Sequence, residues 1–436
     1  MPRTMKDSGI DWIGSIPTNW EIIRTKSAFR NHKHIAGKKS FDYERLALTL
    51  NGVIKRSKDD STGLQPEAFD GYQILRPGEL VFKLIDLENL QTSRVGLSPY
   101  EGIVSPAYII LEPNNTVSPE YAEMFFLSMW QRAIFNRMGD DGVRSSLTAG
   151  DLLKVPFTLP PLDEQRKIAS FLKKKFKEIN SIIEDTENSI EEYKLLKQSL
   201  ITEAVTKGIR GERPMKNSGV EWIGDIPEDW ELIRIKSIFN NRKEKNNPVK
   251  TDFILSLGLN YGVVPYSEKG AAGNKAKEDV SAYLIAHPGD IVMNSMNIVS
   301  GSVGISDYLG CVSPVYYMLY PKNEKTTNKN YFYNVFQTKV FQRSLLGLGN
   351  GILVKESSNG TLNTVRLRIP YEKLGIQLVP QPPKKEQDEI SEYVIKRTSK
   401  IDKLVEEKRA FIDELNKYKK AIIYEYVTGK KEVPEL

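Results

Sequence analysis

The stretches KDSGIDWIGSIPTNWEIIRTK (residues 6–26) and KNSGVEWIGDIPEDWELIRIK (residues 216–236) agree at 13 of 21 positions and stand 210 residues apart. Most of the remaining differences are mild, such as Ile10 for Val220 and Asp11 for Glu221. Repetition at this distance marks an internal duplication, which decides the architecture before any single element is assigned.

The repeat continues outward from that opening. RPGELVF (76–82) pairs with HPGDIVM (287–293), RVGLS (94–98) with SVGIS (302–306), and GIVSPAYIILEP (102–113) with GCVSPVYYMLYP (310–321). YAEMFFLSMWQRAIF (121–135), free of Gly and Pro with apolar residues at helical spacing, resembles YFYNVFQTKVFQRSLL (331–346). Each half then reaches a proline pair, LPPLDEQRKI (159–168) and QPPKKEQDEI (381–390). Segments between these anchors, such as 51–63 and 260–277, do not match. The halves therefore share a frame and differ in their inserts, where binding differences concentrate. Short runs such as ELVFKLI, AYIILE, DIVMNSM and VYYML read as strands.

Past each proline pair lies a long stretch without Gly or Pro, about 163–207 and 385–428, dense in Lys and Glu. In the first, Leu172, Phe176, Ile179, Ile183, Thr186, Ile190, Tyr193, Lys197 and Leu200 step by alternating four and three residues. A shift of 222 gives Val394, Thr398, Ile401, Val405, Lys408, Ile412, Leu415, Lys419 and Ile422 in the same register. This is a coiled-coil seam, and its polar members would fix register at a cost in stability. Each helix should be roughly 65 Å long. Two equal halves favour antiparallel pairing of the helices; the bland alternative is that they bind other proteins and never meet. The expected fold is α+β: two similar mixed α/β domains, two long helices forming an antiparallel coiled coil, and a pseudo-twofold internal repeat.

At 436 residues and 40% hydrophobic content the chain can bury roughly two to four domain cores. One cysteine, Cys311, excludes an internal disulfide and fits a reducing compartment. No apolar run is long enough to span a membrane, and the N-terminus lacks a signal-peptide core, so a soluble cytoplasmic protein is expected. A net charge of +6 permits a polyanionic partner without demanding one.

Catalytic signatures are missing. The histidines are His32, His34 and His287, and with one distant Cys they assemble no zinc site. AGKKS (36–40) lacks the upstream glycine of a phosphate loop, and GLGNG (347–351) reads as a flexible loop. Asp140 and Asp141 cannot be told from a solvated turn. Shared positions such as Gly9, Trp12, Pro17, Trp20, Gly96 and Pro106 are mostly packing and turn residues.

SGIDWIGSIPTNWE, PGELVF, GIVSPAY and LPPLDEQRKIASFL, each with a second copy, resemble the specificity subunit of type I restriction–modification systems over nearly the whole chain. The resemblance implies target recognition domain 1 over 1–158, a conserved helical region over 159–210, target recognition domain 2 over 211–380 and a second helical region over 381–436. It implies that each recognition domain reads one half of a split double-stranded DNA site and that the helices set the unread spacer. The chain itself would be non-catalytic and carry no cofactor. It would recruit two modification subunits, which bind S-adenosylmethionine and methylate adenine, and restriction subunits that use ATP. One departure stands out: Lys384 and Lys385 replace Leu162 and Asp163 in the second proline motif.

DNA reading calls for cations on phosphates and for Arg, Lys, Asn or Gln on base edges, sought in the unmatched inserts. In the first half the candidates are Lys55, Arg56 and Lys58, then Lys83, Gln91 and Arg94, then Arg144 and Ser145. In the second they are Tyr261, Tyr266, Lys269, Asn274 and Lys275, then Asn294, Asn297 and Ser302, then Lys355, Ser357 and Asn359. Any one of them could instead be an ordinary exposed loop residue. Glu164, Gln165, Glu386 and Gln387 either cap the helix starts or contact the modification subunits. The rival readings are a nuclease or methyltransferase with a fused reader, for which no motif is present, and a coiled-coil adaptor that binds no DNA.

Overall fold

The computed structural model describes residues 3–60, 68–85, 87, 93–138, 146–258, 262–269, 276, 279–352 and 366–434. The chain divides into two compact units, one of residues 1–187 with 409–436, the other of residues 188–408.

In the first unit, a hairpin pairs Met5–Asp7 with Ser15–Pro17, and Glu21–Arg24 pairs antiparallel with Pro156–Leu159. One four-stranded antiparallel sheet runs in the order Phe29–His32, Ile109–Pro113, Leu80–Phe82, Val95–Leu97. A second has the order Gly52–Arg56, Arg45–Thr49, Gly102–Val104, Gln73–Leu75, with one parallel contact, Ile103 beside Arg45. Gly102 opens the repeated GIVSP motif because a Cβ there would sit 2.5 Å from the Glu44 carbonyl oxygen. The matching Gly310 would meet the Phe253 carbonyl oxygen at 2.7 Å.

The helix Pro119–Gln131 starts at Ser118, whose hydroxyl accepts from Tyr121 N, with Pro119 at its first position. It buries Tyr121, Ala122, Phe125, Phe126 and Met129, a stripe at helical spacing, against Trp20, Phe29, Phe82 and Phe157. Ile422, Ile423, Tyr426 and Val427, from the far end of the chain, complete the same core.

The second unit repeats this frame. Met215–Asn217 pairs with Asp225–Pro227, Glu231–Arg234 with Leu378–Gln381, and a four-stranded sheet runs Phe239–Arg242, Tyr316–Pro321, Ile291–Asn294, Val303–Ile305. Where the first unit has its second sheet, this unit has two pairs, Leu255–Gly258 with Gly262–Pro265 and Leu284–Ala286 with Gly310–Val312, joined by one parallel bridge, Ile254 beside Cys311. The segment 331–346, continuous by composition, breaks into Lys329–Gln337 and Lys339–Ser344. Thr338 causes the break: its hydroxyl accepts from Phe341 N and so caps a new helix start. Ile201, Ala204, Val205, Ile390 and Val394, from the long helices, close this core.

Each long Gly- and Pro-free stretch is one helix, Leu162–Lys207 and Lys384–Val427, about 69 and 66 Å long. Along the seam, Leu172, Ile179, Thr186, Ile190, Val394, Ile401, Val405 and Ile422 are buried. Phe176, Ile183, Tyr193, Leu200, Ile412 and Leu415 are half-buried. In the first unit the Phe171 ring lies 4.7 Å from that of Tyr426, and Lys419 Nζ donates to Asn180 Oδ1 at 2.6 Å. In the second, Lys408 Nζ lies 5.7 Å from the Tyr193 ring and Lys197 Nζ meets Asp402 at 2.6 Å. Within each unit the partner number falls as the first rises, so the two helical segments run in opposite directions.

Candidate nucleic-acid interface

The repeated EQ motif sits where each domain joins its helix, and its side chains are bound within the chain. Glu164 Oε2 accepts from Trp20 Nε1 at 2.9 Å, and Oε1 accepts from Arg3. In the second unit Glu386, fully buried, accepts from Trp230 Nε1 at 3.1 Å and from Arg213 Nη2 at 2.6 Å. The guanidinium groups of Arg3 and Arg213 also lie over the Trp20 and Trp230 rings, at 5.3 and 5.2 Å. Gln165 Oε1 accepts from Ser118 N at 2.8 Å, and Nε2 donates to Thr116 O and Pro160 O. Gln387 does the same toward Asn328 N, Thr326 O and Pro382 O. Each Gln thus fixes the cap of its domain's packing helix. Of the two roles expected for these four residues, helix cap or contact with a modification subunit, the side chains are seen here in contacts within the chain: three are fully buried, and Glu164 holds two internal donors. Their first role is to weld domain to helix.

A second pair of ties was not foreseen. The buried Tyr121 hydroxyl donates to Val427 O at 3.0 Å, beside Thr158 Oγ1, which donates to the same carbonyl at 2.8 Å. The buried Tyr331 hydroxyl donates to Val205 O at 2.9 Å. Burial pushes both phenols well above their usual range, so they stay protonated donors. The only trace in the sequence is that Trp, Tyr and Glu recur in both halves.

The candidate DNA-reading residues fall into three groups by placement. Lys55, Arg56 and Lys58 are gathered on and after the strand Gly52–Arg56. Lys55 is exposed, its Nζ 5.5 Å from the Tyr100 ring. Arg56 donates to Asp60 at 2.7 Å, and Lys58 Nζ donates to Ser40 O and Phe41 O at 2.9 and 3.2 Å. In the second unit Tyr266 and Lys269 share one turn, 5.0 Å from ring to ammonium, and the Tyr266 hydroxyl accepts from Ala276 N. Asn297 is exposed, Asn294 and Lys83 half-buried.

Arg94 and Ser302 are corrections. Arg94 is fully buried and Ser302 2% exposed, so neither presents its side chain to a groove. Both flank the edge strand of a buried sheet, at Val95–Leu97 and Val303–Ile305, where a polar residue can face inward. Gln91, Arg144, Ser145, Tyr261, Asn274, Lys275, Lys355, Ser357 and Asn359 lie outside the described residues. Among the described residues no group of three His, Cys, Asp or Glu could hold a metal, and no helix is long and apolar enough to cross a membrane.

Comparison with known proteins bears on this arrangement. Residues 51–192, which hold most of the first domain's inserts, match the family described as type I restriction modification DNA specificity domain. The chain is also 26% identical over 415 residues, 90% of its length and 89% of the relative's, to a putative type I restriction enzyme MjaX specificity subunit of Methanocaldococcus jannaschii. The MjaVIII specificity subunit of the same organism is 26% identical over 146 residues, 33% of this chain and 32% of that one. Among solved structures, a chain from work on complex assembly and conformational transition of the type I R-M system overlays with a TM-score of 0.68 at 14% identity, covering 95% of this chain and 99% of that one. The HsdS subunit from Thermoanaerobacter tengcongensis overlays at 0.51 and 16%, covering 95% and 98%. The resemblance carried by the repeated motifs therefore holds along the chain: it is similar to type I specificity subunits in sequence, and its fold is theirs.

Proposed function

We propose that this chain is the DNA-reading subunit of a type I restriction–modification complex. The observation that carries the reading is the specificity-domain match over 51–192, set within a likeness to a specificity subunit across 90% of the chain. Each domain reads one half of a bipartite site on double-stranded DNA. The domains follow the boundaries 1–158 and 211–380, and the helical regions are 159–210 and 381–436. The opposed helix segments form an antiparallel coiled coil that relates the halves by a pseudo-twofold and sets the spacer. The duplicated Arg–Trp–Glu ties support a rigid join of each domain to that ruler. The chain is not itself an enzyme. It recruits two modification subunits that supply S-adenosylmethionine and methylate adenine, and restriction subunits that use ATP, in the cytoplasm. In each unit the exposed cations bring affinity through phosphate neutralisation, and the insert side chains bring discrimination.

The test is methylome sequencing of a methylation-free host that expresses the chain with its neighbouring modification subunit. A split motif, methylated at adenine in both halves only when this chain is present, is the expected result. The same pattern from the modification subunit alone, or no pattern from the pair, would overturn the reading and favour a coiled-coil adaptor. Removing one heptad from each helix shortens it by about 10 Å. The accepted spacer should contract by about three base pairs, at 3.4 Å per pair. An unchanged spacer would remove the ruler role.

A further inference from the structure

Phe41 is the most exposed large apolar residue among those described, 83% accessible, yet its backbone is held firmly. It lies in the turn Gly37–Asp42, between the strands Phe29–His32 and Arg45–Thr49. Ser40 beside it is buried and donates to Asp70 Oδ1 at 3.0 Å, while Gly37 N donates to Asp70 O at 3.0 Å. Lys58 Nζ reaches the carbonyls of Ser40 and Phe41 from the other side. Lys38 and Lys39 are exposed next to the ring, followed by exposed Asp42. A bulky exposed ring, on a turn held by Asp70 and Lys58 and preceded by two cations, is organised for contact before any partner arrives.

The loop of the second unit at the equivalent point of the frame also carries an exposed apolar residue, though not at the position that aligns with Phe41. This loop, between Phe239–Arg242 and Leu255–Gly258, is pinned by Asn246, fully buried. Asn246 Oδ1 accepts from Lys250 N and Thr251 N, and Nδ2 donates to Thr251 O and Val280 O. That loop holds out Val249, 56% exposed, beside Lys250.

We infer that Phe41 is an apolar base-contacting residue of the first domain and that Lys38 and Lys39 seat it by binding the flanking phosphates. The inference rests on the DNA-reading function proposed above and adds an apolar specificity contact to the charged and amide candidates. The partner is duplex DNA because two exposed cations precede the ring on its own turn, and because base edges in the grooves offer apolar contacts, such as the thymine methyl, that Phe meets.

The experiment uses the full chain assembled with its modification subunit. Phe41→Ala should lower methylation of the preferred site about tenfold to hundredfold, the range of one base contact. Methylome sequencing should show relaxed bases in one half of the motif only. Phe41→Leu, which keeps an apolar tip, should fall between. Lys38→Gln with Lys39→Gln should instead weaken binding to all sequences and reduce the salt slope by about 2. Unchanged affinity and motif in Phe41→Ala, with the wild-type complex active, would overturn the inference and leave the proposed function standing. Loss of assembly with the modification subunit at unchanged DNA reading would also overturn it, by making the ring a protein contact. No methylation from the wild-type complex would instead strike at the proposed function itself.

Discussion

Glu386 shows how much one side chain can hold. It is buried, takes two donors from different parts of the second unit, and its charge is matched by Arg213. Glu386→Ala leaves an arginine and an indole N–H facing an empty acceptor site. Breaking a buried pair in this way costs about 3–5 kcal/mol. Glu164 makes the same contacts, but its side chain is 21% exposed, so Glu164→Ala should cost less. Chemical denaturation of the two variants would check the order, and equal costs would show that burial is not what sets it. Tyr331→Phe removes the donor to Val205 O. It should cost about 1–2 kcal/mol, the penalty of a buried carbonyl left without its partner. None of these ties could be paired from the sequence. Their members were visible as repeated residues, but Trp20 and Glu164 are separated by 144 positions, and Trp230 and Glu386 by 156. Periodicity carries no information over such spans. Arg94 fails for a related reason: loop composition says that a charge is present, not which way it faces.

At the scale of elements the sequence was far more informative. Long helices announce themselves by the absence of Gly and Pro and by a sustained four–three spacing, which is a local property. The strands of the repeated frame were legible through short apolar runs bounded by turn residues. The paired sheets were not, since register is decided by partners distant in sequence. The seam also carries a testable charge. Lys419 sits at a seam position, half-buried, with Asn180 and the Phe176 ring as its neighbours. Burial holds its amine below the usual lysine range. The folded chain therefore binds this proton less tightly than the unfolded chain, whose lysine titrates near about 10.4. Unfolding takes up a proton in the window between the two values, so stability rises with pH across it. Lys419→Met should be more stable than the native chain at neutral pH, by less than about 1 kcal/mol because the site is half open to water. The gap should close as pH climbs toward 10. A gap that widens with pH would mean that the Asn180 hydrogen bond outweighs desolvation.

At the scale of the whole molecule, the chain's order and its folded order differ. The first unit is not finished until the last thirty or so residues arrive, because residues 409–436 belong to it while the second unit is continuous over 188–408. The link is specific. Val427 O receives both Tyr121 and Thr158, and Ile422, Ile423 and Tyr426 fill the first core. A chain stopped after Lys408 would strip four buried apolar side chains from the first unit, each worth about 1.5–3 kcal/mol. That loss is comparable to the whole stability of a typical domain, about 5–15 kcal/mol. The second unit would keep every residue assigned to it, including the Tyr331–Val205 tie. Hydrogen exchange should therefore show the amides of residues 121–129 losing protection while those of residues 331–336 keep theirs. The damage falls on the domain nearly 300 residues away in sequence from the cut, not on the one next to it. Loss of protection in both units alike would mean that they unfold as one, and that the division of the chain at residues 188 and 408 does not govern its stability.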